Sequence, residues 1–332
     1  MKVDFAVPFD SPADTRELMR RAERDGFDGV WTTEVKRDPF VPLALGATAT
    51  SRIELGTAIA VAFARSPMTV AATANDLQEL SGGRLLLGLG TQIKAHVTHR
   101  FSMPWSRPAA RMREFVLALR AIWDAWQHGT RLNFRGEFYT HTVMTPMFTP
   151  APHPFGPPKV LLAGVGAGMT RVAGEVADGF LCHGFTTERY LRSVTVPALR
   201  SGRGSLDGFE LVGSPMVVTG RSAADIAAAV AATRRQIAFY GSTPAYRGVL
   251  ELHDRGALGE QLHALSRRGE WDRMAALVDD ELVHAIAVVG PPAQAAEEVR
   301  RRYADVFTRA TLYTPYPADP SVLAEVAAAV RG

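Results

Sequence analysis

The chain has 332 residues, 47% of them hydrophobic, with 37 Lys and Arg against 34 Asp and Glu, for a formal charge of +3. That length and apolar share suit one large barrel domain or two ordinary domains, and no uncharged apolar run approaches the ~20 residues of a membrane span. Basic residues, nearly all arginine, are interleaved with acidic ones, which argues against a nucleic-acid surface, and the single Cys182 excludes an internal disulfide and a cysteine metal cluster.

The chain opens on MKVDFAVPFD, where Val3, Phe5 and Val7 alternate as in a strand. No charged region followed by a long apolar segment precedes it, so a cytoplasmic protein is expected. Ser11, Pro12 and Asp14 form a helix start, and Asp25-Gly26 ends that helix. Gly29 to Thr33 reads as a second strand closing on Glu34, a helix begins near Pro39, and Ile53 to Ala60 reads as the third strand. A helix from Met68 to Ser81 leads through Gly82-Gly83 to Leu85–Leu89, an apolar run too short for a core helix and suited to a strand buried on both faces. Gly88 and Gly90 would let a flat ring approach the backbone there.

Residues 91–107 are too many for a minimal turn and read as a rim loop. In the segment from Arg107 to His128, Met112, Phe115, Val116, Leu119, Ile122, Trp123 and Trp126 recur at three and four, the core face of a helix. After an extended piece, Gly136 to Val143, and a proline-rich excursion from Thr145 to Pro158, strands follow at Val160–Ala163, Gly179–Leu181, Glu210–Val218 and Ala310–Tyr313. The βα alternation and the total of eight strands predict a single (β/α)8 TIM barrel over residues 1–332, with a mostly helical insertion at about 240–285.

Chemistry in such a barrel comes from the C-terminal ends of its strands. Collected there are Phe9 and Asp10, Glu34, Ala60 to Phe63, Thr91 and Gln92, Gly164 to Gly168, and Cys182 to Gly184. AGVGAG, Ala163 to Gly168, leaves a strand and opens a helix, so it is either a tight turn or a phosphate cradle of backbone N–H groups. Glu34 is either a functional carboxylate or a salt-bridge partner of Lys36, Arg37 or another rim base. His96, His99 and His183 could move protons or bind anions, or form ordinary rim hydrogen bonds. No HExxH, GxSxG or Walker A sequence occurs, and no metal site is indicated.

Over nearly its whole length the sequence resembles the bacterial luciferase-like flavin and deazaflavin oxidoreductases. The resemblance is carried by GFDGVWTTE, ARSPMTVAATANDLQELSGGRLLLGLGTQ, RMREFVLALRAIWDAW, PPKVLLAGVGAGMTRVAGEVADGFL and VVGPPAQAAEEVRRRY, and GLGTQIKAHVTHRFSMPW is similar to the subgroup dependent on coenzyme F420. It implies a non-prolyl cis peptide at Ala60-Val61 with Phe63 nearby, Thr91 and Gln92 beside the pyrimidine side of the ring, and Phe9 at the cofactor. It implies a tail-phosphate cradle at Gly164, Val165 and Gly166 with His183-Gly184, and proton handling by Glu34 and His96. Many relatives follow the second-strand acid with histidine, whereas here Val35 and Lys36 follow Glu34.

The activity implied is hydride transfer between coenzyme F420 and a small organic substrate. The alternative is an FMN-dependent monooxygenase supplied with reduced flavin by a separate reductase, and a third reading is a non-catalytic barrel that binds a flavin or a partner. The F420 tail would favour extra cations at the mouth, for which Arg65, Lys94, Arg189 and Arg192 are candidates. A small-molecule substrate and a second copy of the chain in a homodimer are the expected partners, with neither nucleic acid nor membrane.

Overall fold

Eight parallel strands close on themselves in the computed structural model, which describes residues 1–6 and 14–332. They are β1 (Lys2–Ala6), β2 (Gly29–Thr32), β3 (Glu54–Thr57), β4 (Leu85–Gly90), β5 (Lys159–Ala163), β6 (Gly179–Leu181), β7 (Glu210–Gly213) and β8 (Arg309–Thr311). Each pairs with its neighbours in sequence, and β8 pairs with β1 with Lys2 opposite Arg309. This is the (β/α)8 barrel that the alternation predicts. Phe9, Asp10 and the helix start at Ser11 and Pro12 lie outside the described residues.

The surrounding helices are α1 (Thr15–Arg24), α2 (Phe40–Ala47), α3 (Pro67–Leu80), α4 (Pro108–His128), α5 (Ala167–Val176), α6 (Val196–Arg203), α7 (Ala223–Gly241), α8 (Pro292–Tyr303) and α9 (Pro320–Arg331). Local chemistry sets their limits. Ser66 caps α3 by accepting the Thr69 N–H at 3.2 Å, with Pro67 in the first position. Every apolar position predicted for the long helix is buried on α4, and Trp123 donates to the Ala71 carbonyl at 3.1 Å. Among the described residues no helix is long and apolar enough to cross a membrane.

Two predicted strands are broken. The run Ile53 to Ala60 stops at Thr57 and resumes as Ala60–Val61, which pairs with Leu89 and Gly90. The run Glu210 to Val218 stops at Gly213, because Pro215 has no N–H for the ladder. It resumes as Met216–Val218, which bridges to Tyr313 after β8 and pairs in parallel with Ala287–Val289. That short strand follows the insertion, whose helices Arg247–Glu251, Gly256–Ser266, Trp271–Ala276 and Asp280–Ile286 bury an apolar cluster of their own with Ile237 of α7 and Phe185 from the barrel rim.

The lower half of the barrel interior is charged. Arg309 donates to both carboxylate oxygens of Asp4, at 2.6 and 2.9 Å, and to Glu54 at 3.0 Å, while the Trp31 indole N–H donates to Asp4 at 2.8 Å. Gly56 makes room for the indole, since a Cβ there would come within 2.3 Å of the Trp31 ring. Above this floor Trp31, Leu86, Leu161, Leu181 and Val212 form an apolar layer.

Candidate active site

A cavity of about 490 Å³ opens above that layer at the C-terminal ends of the strands, within the size range of small-molecule sites. Its walls come from Ala58-Ile59 after β3, Gly90 to Ile93 after β4, Ala163 to Val165 after β5, and Leu181 to Gly184 after β6. Ser214 after β7, Tyr313 after β8, and Tyr240 and Tyr246 from α7 and the insertion complete it.

The non-prolyl cis peptide is Ala58-Ile59, not Ala60-Val61. β3 ends at Thr57, and the Ala58 N–H makes the last rung to β2, donating to the Thr32 carbonyl at 2.7 Å just before the cis bond. Nothing in the apolar run TAIAVAF marks that break, so the resemblance placed it two residues late. Ala60 and Val61 consequently pair with β4, and both are fully buried behind the wall rather than in it. Phe63 is also fully buried, 5.9 Å from the Trp105 ring and with the Arg111 guanidinium 4.4 Å from its centroid. Gly88 does not face the cavity. A Cβ there would stand 1.7 Å from the Thr57 carbonyl oxygen, so this glycine lets β3 and β4 approach closely, while Gly90 does line the cavity.

Glu34 does not line the cavity. It accepts the Val61 N–H at 2.7 Å and a bond from Arg65 at 2.6 Å, and Arg65 also pairs with Asp38 at 3.0 Å. Its backbone N–H donates to the Ile59 carbonyl at 3.2 Å, so the acid fastens the segment that follows the cis peptide. His96 is exposed on a π-helical turn, His96–Arg100, outside the lining. The structure therefore brings neither expected proton carrier to the cavity wall. Thr91 and Gln92 are there, with Gln92 at φ 59° and its side-chain oxygen accepting the Ile93 N–H at 3.0 Å.

Gly164, Val165 and His183 connect the cavity to a smaller pocket of about 30 Å³ at the N-terminus of α5, where Thr186, Tyr190 and Thr195 point in. Gly166 caps α5 at φ 82°, and the space where a Cβ would stand is open to 4 Å. Gly184 lies in the cavity wall beside His183. The His183 ring stacks on Tyr246 at 4.5 Å and meets Tyr240 edge-on at 4.7 Å. Its Nδ1 accepts the Phe185 N–H at 3.0 Å, so the neutral ring carries its hydrogen on Nε2. Burial pushes its pKa down to about 4, which keeps it uncharged near pH 7. Burial likewise raises the Cys182 thiol well above its usual range, so it stays protonated.

Of the four candidate tail cations, Arg65 is committed to Glu34 and Asp38, and Arg192 to Asp305 and Glu188. The strand-end rule did not select Trp31, Ala58, Ile59, Ser214, Tyr240, Tyr246 and Tyr313. Tyr313 ends the eighth predicted strand and was within reach of the same rule, whereas Ser214 lay inside the predicted run Glu210 to Val218, which breaks at Gly213. Tyr240 lies in the last turn of α7 and Tyr246 in the insertion that follows, where no period announces which side chains turn inward.

The barrel, its helical insertion and this cavity define a class, and the chain belongs to the luciferase-like monooxygenase family, which it matches over residues 3–309. It is 56% identical over 314 residues to an uncharacterized protein of Mycobacterium tuberculosis, covering 93% of this chain and 92% of that one. It is 27% identical over 293 residues to the 5,10-methylenetetrahydromethanopterin reductase of Archaeoglobus fulgidus, covering 85% of this chain and 83% of the reductase. The coenzyme F420 dependent tetrahydromethanopterin reductase of Methanopyrus kandleri shares the fold with a TM-score of 0.80 at 21% identity, over 99% of this chain and 97% of that one. The chain is thus an enzyme of an oxidoreductase family.

Proposed function

We propose that the protein transfers a hydride between coenzyme F420 and a small organic substrate. The observation that carries this reading is the union of a deep uncharged cavity with an anion-suited pocket through Gly164, Val165 and His183. The residues fit the coenzyme in kind. The Ala58-Ile59 segment, Gly90 and Thr91 form an uncharged wall against which a flat ring can lie, with the Ile59 side chain packed over Gly90, and the α5 N-terminus with the open Cβ position of Gly166 suits a phosphate. When bound, a deazaflavin supplies a two-electron hydride carrier. The chain's own part is to orient that ring, to hold the phosphate with backbone N–H groups, and to exclude water with the insertion.

FMN serving a monooxygenase is the second reading. It is favoured by the engagement of Arg65 and Arg192 in ion pairs, which leaves fewer cations for an anionic tail. Titration of the purified protein with F420 and with FMN, followed by fluorescence quenching and by anaerobic turnover, separates the two. The expected result is preferential F420 binding with oxygen-independent turnover. Tight FMN binding with oxygen-dependent product, and no response to F420, overturns it.

A further inference from the structure

Among the described residues no Asp, Glu, Lys or Arg lines the cavity, and residues 7–13, VPFDSPA, contain one acid, Asp10, and no basic side chain. The one imidazole in the wall is held neutral by its burial and by the Phe185 N–H on Nδ1. The lips are apolar, with Ile93 51% and Val165 40% exposed. Among the described residues no opposite charge would replace the hydration that a charged group loses on entering.

Two hydroxyls meet within this uncharged space. Tyr240 Oη and Tyr313 Oη lie 3.2 Å apart. One phenol of such a pair donates to the other, which leaves one O–H and unused lone pairs for a guest. Burial, reinforced by Tyr240, raises Tyr313 far above the usual phenol range, so it remains a neutral donor. A carbonyl oxygen can accept the spare O–H, and an alcohol can both accept and donate.

We propose that the cavity admits an uncharged, largely apolar ketone or alcohol whose oxygen is received by the Tyr240–Tyr313 hydroxyl pair. This names the substrate class of the oxidoreductase site above and rests on that reading for the reaction, whichever of the two cofactors serves it.

The test is calorimetric binding of cyclohexanone, cyclohexanecarboxylate and cyclohexylamine, first to cofactor-free protein and then to protein loaded with whichever of F420 and FMN it takes. Cyclohexanone should bind at least about tenfold more tightly than either ion. Tyr313→Phe and Tyr240→Phe should each weaken cyclohexanone about tenfold, with the melting temperature reporting the fold. Should Tyr313→Phe fail to fold, Tyr240→Phe reads the same contact, because Tyr240 is only half-buried in the last turn of α7. Either ion binding as tightly as the ketone, or no ketone binding, overturns the substrate class. Unchanged ketone affinity in a folded Phe variant overturns the oxygen site. A preference for FMN changes the cofactor and leaves these ratios in place.

Discussion

The two ends of the barrel interior treat charge in opposite ways. At the N-terminal end Asp4, Arg309 and Glu54 are packed together under Trp31, with Asp4 and Arg309 almost wholly removed from water. At the C-terminal end the wall holds hydroxyls, glycines and a neutral imidazole. The floor can hold charges because their partners are permanent, whereas an end that exchanges guests would leave any charge unpaired whenever it emptied.

The largest effect is expected at the floor. Asp4→Asn removes the two-bond partner of the buried Arg309 and leaves it only its contact with the partly exposed Glu54, which should remove about 3 kcal/mol of stability in urea unfolding. A loss below about 1 kcal/mol, the worth of an exposed pair, would show that water reaches the floor and would erase the contrast.

A smaller effect is expected at the mouth. The unfolded chain protonates His183 near its ordinary value of 6.5, but the folded chain does so only near 4. Acid therefore favours the unfolded state, and stability is lost as pH falls from 6.5 toward 4. Between pH 7 and pH 5 the loss from this residue should be about 1–2 kcal/mol, and His183→Asn should remove it. An equal acid sensitivity in the variant would place the titration elsewhere.

The smallest stability change is expected at Gly166, where the mouth meets its anion-suited pocket. Gly166→Ala should cost about 1 kcal/mol, because φ 82° suits only glycine and no neighbour obstructs the methyl. Gly166→Asp should match it in stability yet bind cofactor at least about tenfold more weakly, since it sets a carboxylate beside the phosphate. Equal cofactor affinity in the two variants would remove the phosphate from this helix terminus.

Much of the barrel was legible in sequence because its signals are local. Ser66-Pro67 opens α3, Gly82-Gly83 follows it, and the three-and-four spacing from Met112 to Trp126 gives the buried face of α4. The site was legible only where it follows a strand directly, as at Thr91, Gly164 and His183. The break at Ala58-Ile59 falls inside the apolar run TAIAVAF, where no local pattern records it. Glu34 was open in sequence between a functional carboxylate and a rim salt bridge, and the base that engages it, Arg65, lies 31 positions away. Tyr240 and Tyr246 turn inward because the insertion packs on Phe185, again a tertiary fact.

The Asp4–Arg309 bond also joins residues 305 positions apart, across the seam where β8 meets β1. Closing a loop of that size costs little more entropy than closing one half as long, so its main effect falls on timing. During synthesis β1 and β7 stay open edges until β8 emerges, and an open edge is a template for pairing with other chains. Asp4 waits through the same interval without its guanidinium. The seam is thus the step at which a nascent chain stops being vulnerable to its neighbours, and a chain cut short of residue 309 would remain in that condition.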